Sequence, residues 1–260
     1  MAKTITISLY NRPDYTKQVL SHLLLCNKVG EYRIDIFCEP GYPLVEDICK
    51  DFQSKHNETT IHINENRLGC NKNIYQCLHY GFDVLNSDFH IHLEDDIVPA
   101  KDCLEYFEWA DQNYAKDKSV MTICSYNRYL KPKPKNHLSN EIQLNELSNY
   151  YNAVAKDAWF TPWGWATWKN RWDNIINEYL YSSIYVNNTP YNSWDKYVYD
   201  CTQKNNMNEV YPFIARTQNI GSNHGAHVPS AQWHKDNQYN EYWIETIQKY
   251  SNTFQEINSI

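Results

Sequence analysis

Glycine is scarce in this sequence, and so are the patterns that glycine-rich loops make. Only 7 of the 260 residues are glycine, and neither a Walker-type loop nor a Gly-x-Gly-x-x-Gly fingerprint is present. Those loops hold phosphates in the P-loop and dinucleotide-binding folds. Any nucleotide bound by this chain is therefore expected to be held in another way, by side chains and a cation.

Other absences exclude further classes of protein. The eight cysteines are scattered without a Cys-x-x-Cys pair, which argues against a zinc site and a disulfide scaffold; we expect buried thiols in a reducing cytoplasm. The most apolar run, VLSHLLLC, is too short to span a bilayer, and the first residues have no signal-peptide pattern. The net charge of −7 argues against binding nucleic acid through a basic surface.

What the first hundred residues do contain is an alternation of strand-like and helix-like segments. This order predicts a parallel sheet with helices on its faces, in which ligands bind at the carboxyl ends of the strands. Arg12, Glu39 and the acidic triplet 94–96 all sit at the carboxyl ends of predicted strands. The predicted strands are 4–10, 32–41, 59–66 and 89–93, and the predicted helices are 14–26, 43–55 and 70–85.

Three consecutive carboxylates, Glu94, Asp95 and Asp96, follow the strand that begins at Phe89. Adjacent carboxylates repel, so the cluster costs stability unless a cation or a ligand shares it. The alternative is a run of solvated charges on a surface loop. The triplet directly follows a buried strand and precedes Pro99, however, so its position in the fold is fixed. Carboxylate oxygens suit Mg²⁺ or Mn²⁺, with a phosphate completing the coordination shell. A metal-bound diphosphate is a stabilised leaving group, which indicates sugar transfer from a nucleotide diphosphate.

The second half predicts a helix at 103–114 and a strand at 119–126, followed by an exposed loop with Lys131, Lys133 and Lys135. These lysines are either solvated or part of a lid over a donor. No repeat or composition shift marks a boundary. We expect one domain over 1–260, with a nucleotide-sugar half (1–100) and an acceptor and catalytic-base half (101–260).

Six pieces of the sequence together resemble metal-dependent glycosyltransferases of the GT-A fold. They are LYNRP, FCEPG, LEDD, FTPWGWATWKNRW, NSWDKYVYD and ARTQNIGSNHGAH. The resemblance is greatest to the inverting N-acetylglucosaminyltransferase I group and its bacterial and viral relatives. It implies an α/β, Rossmann-like GT-A fold, a mostly parallel sheet flanked by helices with a smaller acceptor-side β region.

The resemblance also implies roles for residues on the nucleotide side. An arginine after the first strand contacts the nucleotide, an acid after the second accepts a hydrogen bond from uracil, and a polar residue of the third helix faces the nucleotide. The triplet binds sugar and ribose with its first two acids and the Mn²⁺ or Mg²⁺ ion with its last. These positions are Arg12, Glu39, Asn73, Glu94, Asp95 and Asp96.

On the acceptor side, the resemblance makes Asp195 the general base and places Trp165, Trp194, Ser222 and His224 around the donor. Each has a plainer interpretation. Asp195 is also a typical helix N-terminal acid, and the tryptophans are core residues by default. His224 and its neighbour His227 are either metal or diphosphate neighbours or hydrogen-bonded loop residues. The family's Ser-His-Gly reads Asn-His-Gly here, which leaves only the adjacent serine to contact phosphate.

The sequence therefore predicts an inverting glycosyltransferase that depends on Mn²⁺ or Mg²⁺. It would move a sugar from a UDP-sugar, with UDP-GlcNAc as the best single candidate, to a hydroxyl of a glycan acceptor. Other nucleotide sugars (UDP-Gal, UDP-Xyl, UDP-Glc or a GDP-sugar) and a non-catalytic carbohydrate-binding protein are the alternatives. A nucleotidyltransferase should carry a basic, glycine-rich loop after the first strand, and NRPDYTK does not fit that pattern.

Overall fold

The structure is a computed structural model that describes residues 3–128, 148–186, 193–222, 230, 232 and 243–257. The predictions for the lysine-rich loop and for His224 and His227 fall outside these residues. Within the described part, no helix is long and apolar enough to cross a membrane.

The first half follows the predicted alternation of strands and helices. Pro13 and Pro43 open the first two helices, where their missing N–H groups cost nothing. The elements are β1 (Lys3–Leu9), α1 (Pro13–Leu25), β2 (Tyr32–Cys38), α2 (Pro43–Lys55), β3 (Thr59–Ile63), α3 (Cys70–His79), β4 (Phe89–Glu94), β5 (Ile97–Pro99), α4 (Cys103–Tyr114) and β6 (Val120–Cys124).

The second half is less regular. One helical segment, α5, consists of consecutive turns at Lys169–Arg171, Trp172–Ile176, Asn177–Tyr181 and Ser182–Val186. The other elements are β7 (Ala153–Asp157), β8 (Trp165–Trp168), α6 (Trp194–Lys204), β9 (Asn208–Pro212), β10 (Thr217–Asn219), α7 (Ile244–Ile247) and β11 (Gln255–Glu256).

The described strands form a nine-stranded sheet in the order β11-β7-β9-β6-β8-β4-β1-β2-β3. Strands β3, β2, β1 and β4 are parallel, and β8 is antiparallel to both of its neighbours, β4 and β6. Strands β5 and β10 form a separate antiparallel pair beyond the end of β4. This confirms the predicted α/β class, with a mostly parallel sheet whose carboxyl edge carries the candidate site.

Apolar side chains cover the sheet in two main clusters. One packs α1, α2 and α4 against residues such as Ile5 and Ile36, and the other packs α3, α5 and α6 around Trp165 and Trp172. Seven of the eight cysteines are buried, as predicted. The prediction was wrong for Cys70, because it is the first residue of α3 and lies at the open edge of the sheet.

Candidate active site

Arg12 joins two of the three acids at the carboxyl edge. Its Nε donates to Asp95 Oδ2 at 3.2 Å, its Nη2 donates to Asp95 Oδ1, and its Nη1 lies 2.8 Å from Asp96 Oδ2. Burial lowers the pKa of Arg12, but the charges of Asp96 and Asp95 outweigh burial and raise it above its ordinary value. The guanidinium is therefore the cation that neutralises this carboxylate pair.

Asp96 is held between β5 and the segment that follows β10. The N–H of Ile220 donates to the Asp96 carbonyl oxygen at 2.9 Å. A Cβ atom on Gly221 would lie 2.2 Å from Asp96 Oδ2, so only glycine allows this close approach. Burial raises the pKa of Asp96 to about 6, although the Arg12 guanidinium opposes the shift.

Glu94 lies at the same edge and faces the start of α3 and α6. Burial, with the charges of Asp96 and Asp95, raises the pKa of Glu94 well above its ordinary value, and Asp195 adds to the shift. Cys70 is exposed to solvent, yet burial, with the charges of Glu94 and Asp195, raises its pKa. A side chain that is accessible and also surrounded by protein lines a concave site.

The position of Asp195 is set by the start of α6. The Asn71 side chain accepts the N–H of Trp194 at 3.0 Å, which ties the first turns of α3 and α6 together. The Ser193 hydroxyl donates to Asp195 Oδ1. The charge of Asp195 contributes to the raised pKa of Glu94, so Asp195 lies near the acidic triplet, and its role as a general base stays a prediction.

Two residues that are predicted to contact the nucleotide, Glu39 and Asn73, are hydrogen-bonded to other protein groups in the structure. Glu39 is 3% exposed, and its two oxygens accept the N–H groups of Leu68 and Gly69 at 2.9 and 2.7 Å. Asn73 is also buried, and its side-chain oxygen accepts from Asn64 at 3.0 Å. Glu39 fixes the turn that precedes α3, so these contacts lend no direct support to the predicted roles.

Trp165 and Trp194 stack on each other in the core. Their ring centroids are 5.8 Å apart at 23°, and their exposed fractions are 1% and 3%. Phe160 packs edge-on against both rings. The predicted contact of these rings with the donor finds no support, because strand β8 is covered on both faces.

Ser222 follows Gly221, which lies against Asp96, and its predicted contact with the donor stays a prediction. The Ser222 Oγ is 3.4 Å from the Tyr15 hydroxyl, and the N–H of Gly221 donates to the Asn219 side chain at 2.8 Å. His224 lies outside the described residues.

The sequence reasoning overlooked several residues of this edge. Cys70 and Asn71 read simply as residues of the helix α3. Nothing in the sequence alone predicts which groups lie next to them. At Gly221, by contrast, the small-residue loop predicts a close approach to a ligand, and the group that lies there in the structure is Asp96.

Comparison with protein-family models found no match, and comparison with curated proteins by sequence found none either. Among solved structures, S. aureus TarS 1-349 is similar with a TM-score of 0.56, at 13% identity, over 84% of this chain and 60% of that chain. The same fragment in complex with UDP-GlcNAc gives a TM-score of 0.54 at 13% identity, over 84% of this chain and 58% of that chain.

The chain thus spans about three fifths of the TarS fragment that it matches. The likeness shows that it has the Rossmann-like GT-A fold of glycosyltransferases. The finer resemblance to the N-acetylglucosaminyltransferase I group stays a prediction.

Proposed function

We propose that this chain transfers a sugar from a nucleotide-sugar donor to a hydroxyl of a glycan acceptor. The observation that carries the proposal is the meeting, at one sheet edge, of the Arg12 guanidinium, the three acids Glu94, Asp95 and Asp96, and a fourth acid, Asp195, whose charge acts on Glu94. Such a group costs stability, because burial and the neighbouring like charges raise the pKa of Glu94 and of Asp96. A GT-A fold with this edge is suited to hold a diphosphate and to receive a proton.

A divalent cation fits this edge with Asp96 as its protein ligand. The carboxylate is a hard oxygen donor of the kind that Mg²⁺ and Mn²⁺ prefer, and it lies at the edge with a 14% exposed side chain. Within the described residues, no group of three His, Cys, Asp or Glu side chains could enclose a metal ion. The remaining ligands would come from the donor's phosphates and from water, and the ion would stabilise the leaving diphosphate as a Lewis acid.

The chain's own residues supply the rest of the chemistry. Asp195 accepts the proton of the acceptor hydroxyl as the nucleophile attacks, and Ser193 orients its carboxylate. Arg12 offsets negative charge beside Asp95 and Asp96, and Glu94 and Asp95 bind sugar and ribose hydroxyls. Because a single displacement occurs on the face opposite the diphosphate, the anomeric configuration is inverted.

The donor best supported is UDP-GlcNAc. The sequence resemblance points to a UDP-sugar, and a structure with the same fold is a complex with UDP-GlcNAc. In this proposal Glu39 keeps its backbone contacts and offers a remaining lone pair to uracil. Equal affinity for UDP and CDP would remove that role, because unprotonated cytosine has no N3–H to donate.

The test is the Asp195→Asn variant. It should bind UDP-GlcNAc with Mn²⁺ as the wild type does, but transfer or hydrolyse the sugar at least about a hundredfold more slowly, because positioned bases contribute roughly two to four orders of magnitude. Donor binding is measured by calorimetry, turnover by release of UDP, and product configuration by proton NMR.

Asp200→Asn is the matched control, since Asp200 lies on the same helix and pairs with Lys196. It should leave turnover unchanged. Near-normal turnover by Asp195→Asn, or a product with retained configuration, would contradict the role of Asp195. Absence of donor hydrolysis by the wild type with every metal tried would favour a carbohydrate-binding protein.

A further inference from the structure

Polar side chains form a continuous ladder inside the sheet between β1 and β4. Both histidines of β4 are almost fully buried, and so are the hydroxyl residues that face them. The contacts run from Ser87 to Thr4 (2.7 Å), Thr4 to His90 Nδ1 (2.8 Å), His90 Nε2 to Thr6 (2.8 Å), Thr6 to His92 Nδ1 (3.1 Å) and His92 Nε2 to Ser8 (3.5 Å).

The direction of every hydrogen bond in the ladder follows from the bond that Ser87 makes at one end of it. Ser87 Oγ lies 2.7 Å from the carbonyl oxygen of Phe89, which can only accept. Ser87 therefore gives its one proton to Phe89, and Thr4 must donate to Ser87. With its proton used, Thr4 can only accept from His90, so His90 carries its proton on Nδ1.

The same assignment of one proton to each hydrogen bond continues to Ser8, at the other end of the ladder. Burial lowers the pKa of His90 and of His92 to about 3, so both rings are neutral and each has one bare nitrogen. The bare Nε2 of His90 accepts the proton of Thr6, so His92 must donate to Thr6 from Nδ1. The bare Nε2 of His92 then accepts the proton of Ser8.

One neighbouring group could compete for the Thr6 proton. The Cys77 thiol contacts Thr6, but sulfur is a weaker acceptor than an imidazole nitrogen. If the thiol instead donates to Thr6, the proton assignments in the ladder stay the same.

Ser8 thus ends the ladder with its proton donated to His92, and its lone pairs have no partner among the described residues. It is the register partner of Glu94, and both side chains lie on the face that carries the two histidines, since side chains alternate along a strand. The ladder delivers a pre-oriented hydrogen-bond acceptor to the edge where Glu94 and Asp95 stand.

We propose that Ser8 is a binding residue that accepts a hydrogen bond from a hydroxyl of the nucleotide sugar, and that Thr6 and His92 are positioning residues that hold it as an acceptor. The ladder itself follows from the geometry alone, whereas the ligand of Ser8 rests on the proposed function. Two separate measurements therefore test the two parts.

The first measurement is nitrogen-15 NMR of histidine-labelled full-length protein without ligand. In the wild type, His90 and His92 should both carry the proton on Nδ1. Thr6→Val keeps the shape of the side chain but removes both of its hydrogen bonds. His90 should then stay on Nδ1, held by Thr4, while His92 moves its proton to Nε2 and donates to Ser8.

Two further variants keep this result interpretable. Thr6→Ser restores the hydroxyl and should restore the wild-type spectrum, even if Thr6→Val lowers stability. Thr16→Val is the matched control, because Thr16 is equally buried and its Oγ1 has no hydrogen-bond partner within the described residues. A wild-type proton on Nε2 of either ring, or release of His90 instead of His92, would overturn the ladder's direction.

The second measurement is calorimetry with UDP-GlcNAc and Mn²⁺. Ser8→Ala removes the acceptor and should weaken binding roughly two- to tenfold, the range for one neutral hydrogen bond. Thr6→Val should weaken it too, but less than Ser8→Ala does, because Ser8 then uses one of its two lone pairs to accept from His92 and is no longer held as an acceptor for the ligand. Unchanged affinity in Ser8→Ala would overturn its binding role. A wild type that binds no nucleotide sugar would count against the proposed function, and the NMR result would still decide the ladder.

Discussion

Two arginine–aspartate groups in this chain differ in how completely the protein encloses them. Arg216 and Asp102 have no exposed side-chain surface. The Arg216 guanidinium reaches Asp102 at 3.3 Å and the carbonyl oxygens of Ile214 and Tyr151, and Asp102 also accepts the N–H of Ser251 at 3.0 Å. This group fastens the segment before β11 to the body of the protein.

Arg12, by contrast, forms ion pairs with Asp95 and Asp96 and lies over the Tyr15 ring, at the carboxyl edge of the sheet. Its side chain is 16% exposed, and that of Asp96 is 14% exposed. Its Nη1 approaches Asp96 without the geometry of a hydrogen bond. One arginine–aspartate group is thus enclosed by the protein, whereas the other is partly open to solvent at the edge of the proposed site.

The largest expected effect is on the enclosed pair. Arg216→Met should lower the free energy of unfolding by about 3–5 kcal/mol, because it leaves a buried aspartate without its cation. Urea unfolding measures the change. Arg67→Met is the control, since Arg67 is exposed and stacks on Tyr10, and it should cost well under about 1 kcal/mol. Similar losses of unfolding free energy in Arg216→Met and Arg67→Met would show that the enclosed ion pair is not important for stability.

Glu209 sharpens the comparison because it is a buried carboxylate with hydroxyl and amide partners. It accepts the N–H and the hydroxyl of Thr161 at 2.7 and 2.9 Å. Burial raises the pKa of Glu209 to about 7 from an ordinary 4.5, although Arg128 opposes the shift. The folded state thus holds this proton more tightly than the unfolded state does.

Its contribution to stability is therefore fully present below pH 4.5 and lost as the pH rises to about 7. The loss is about 3 kcal/mol at most. Glu209→Gln should remove this part of the slope, which unfolding curves of variant and wild type between pH 4.5 and 8 would show. An unchanged slope would mean that Glu209 titrates near its ordinary pKa.

Gly221 tests how closely the segment after β10 packs against Asp96. Gly221→Ala would place a methyl group 2.2 Å from Asp96 Oδ2, so the carboxylate or the loop must move, at a cost of about 1–3 kcal/mol. Calorimetry should also show weaker Mn²⁺-dependent UDP binding. Gly30→Ala meets nothing within 4 Å and should change neither quantity. Normal UDP binding by Gly221→Ala would show that Asp96 is free to shift.

The smallest expected effect concerns exchange at Arg12. If a divalent cation competes with the guanidinium for Asp96, Arg12→Met should bind Mn²⁺ alone more tightly, by roughly tenfold or about 1.4 kcal/mol. Calorimetry with Mn²⁺ and no nucleotide measures this, and Arg67→Met should match the wild type. Equal or weaker Mn²⁺ binding by Arg12→Met would contradict the competition.

The sequence predicted most of the first half because hydrophobic periodicity and helix-opening prolines act locally. It predicted a helix over 70–85, and the backbone is helical over that range, as α3 to His79 and as a π turn over Tyr80–Val84. There a Cβ on Gly81 would lie 2.5 Å from the His90 ring. The change from α to π turns thus coincides with a tertiary contact that no local pattern contains.

The same limit applies to the candidate site. Arg12 and the acidic triplet were predicted to meet because parallel strands align their carboxyl ends. The partners of Glu39 were not predictable, because they are backbone groups of a turn distant in sequence. The ladder had a readable signal, however. Polar residues alternate within both buried strands, as TITIS in β1 and HIH in β4, and two such faces are expected to pair.

The register of β1 with β4 also limits how this stretch can change in evolution. Thr4, Thr6 and Ser8 are paired with His90, His92 and Glu94 one by one. Inserting or deleting a single residue within Phe89–Glu94 would turn every later side chain to the opposite face. Isoleucines would then meet the hydroxyls, and the acids would leave the edge. Substitutions here can be tolerated singly, but changes of length would remove fold and site together.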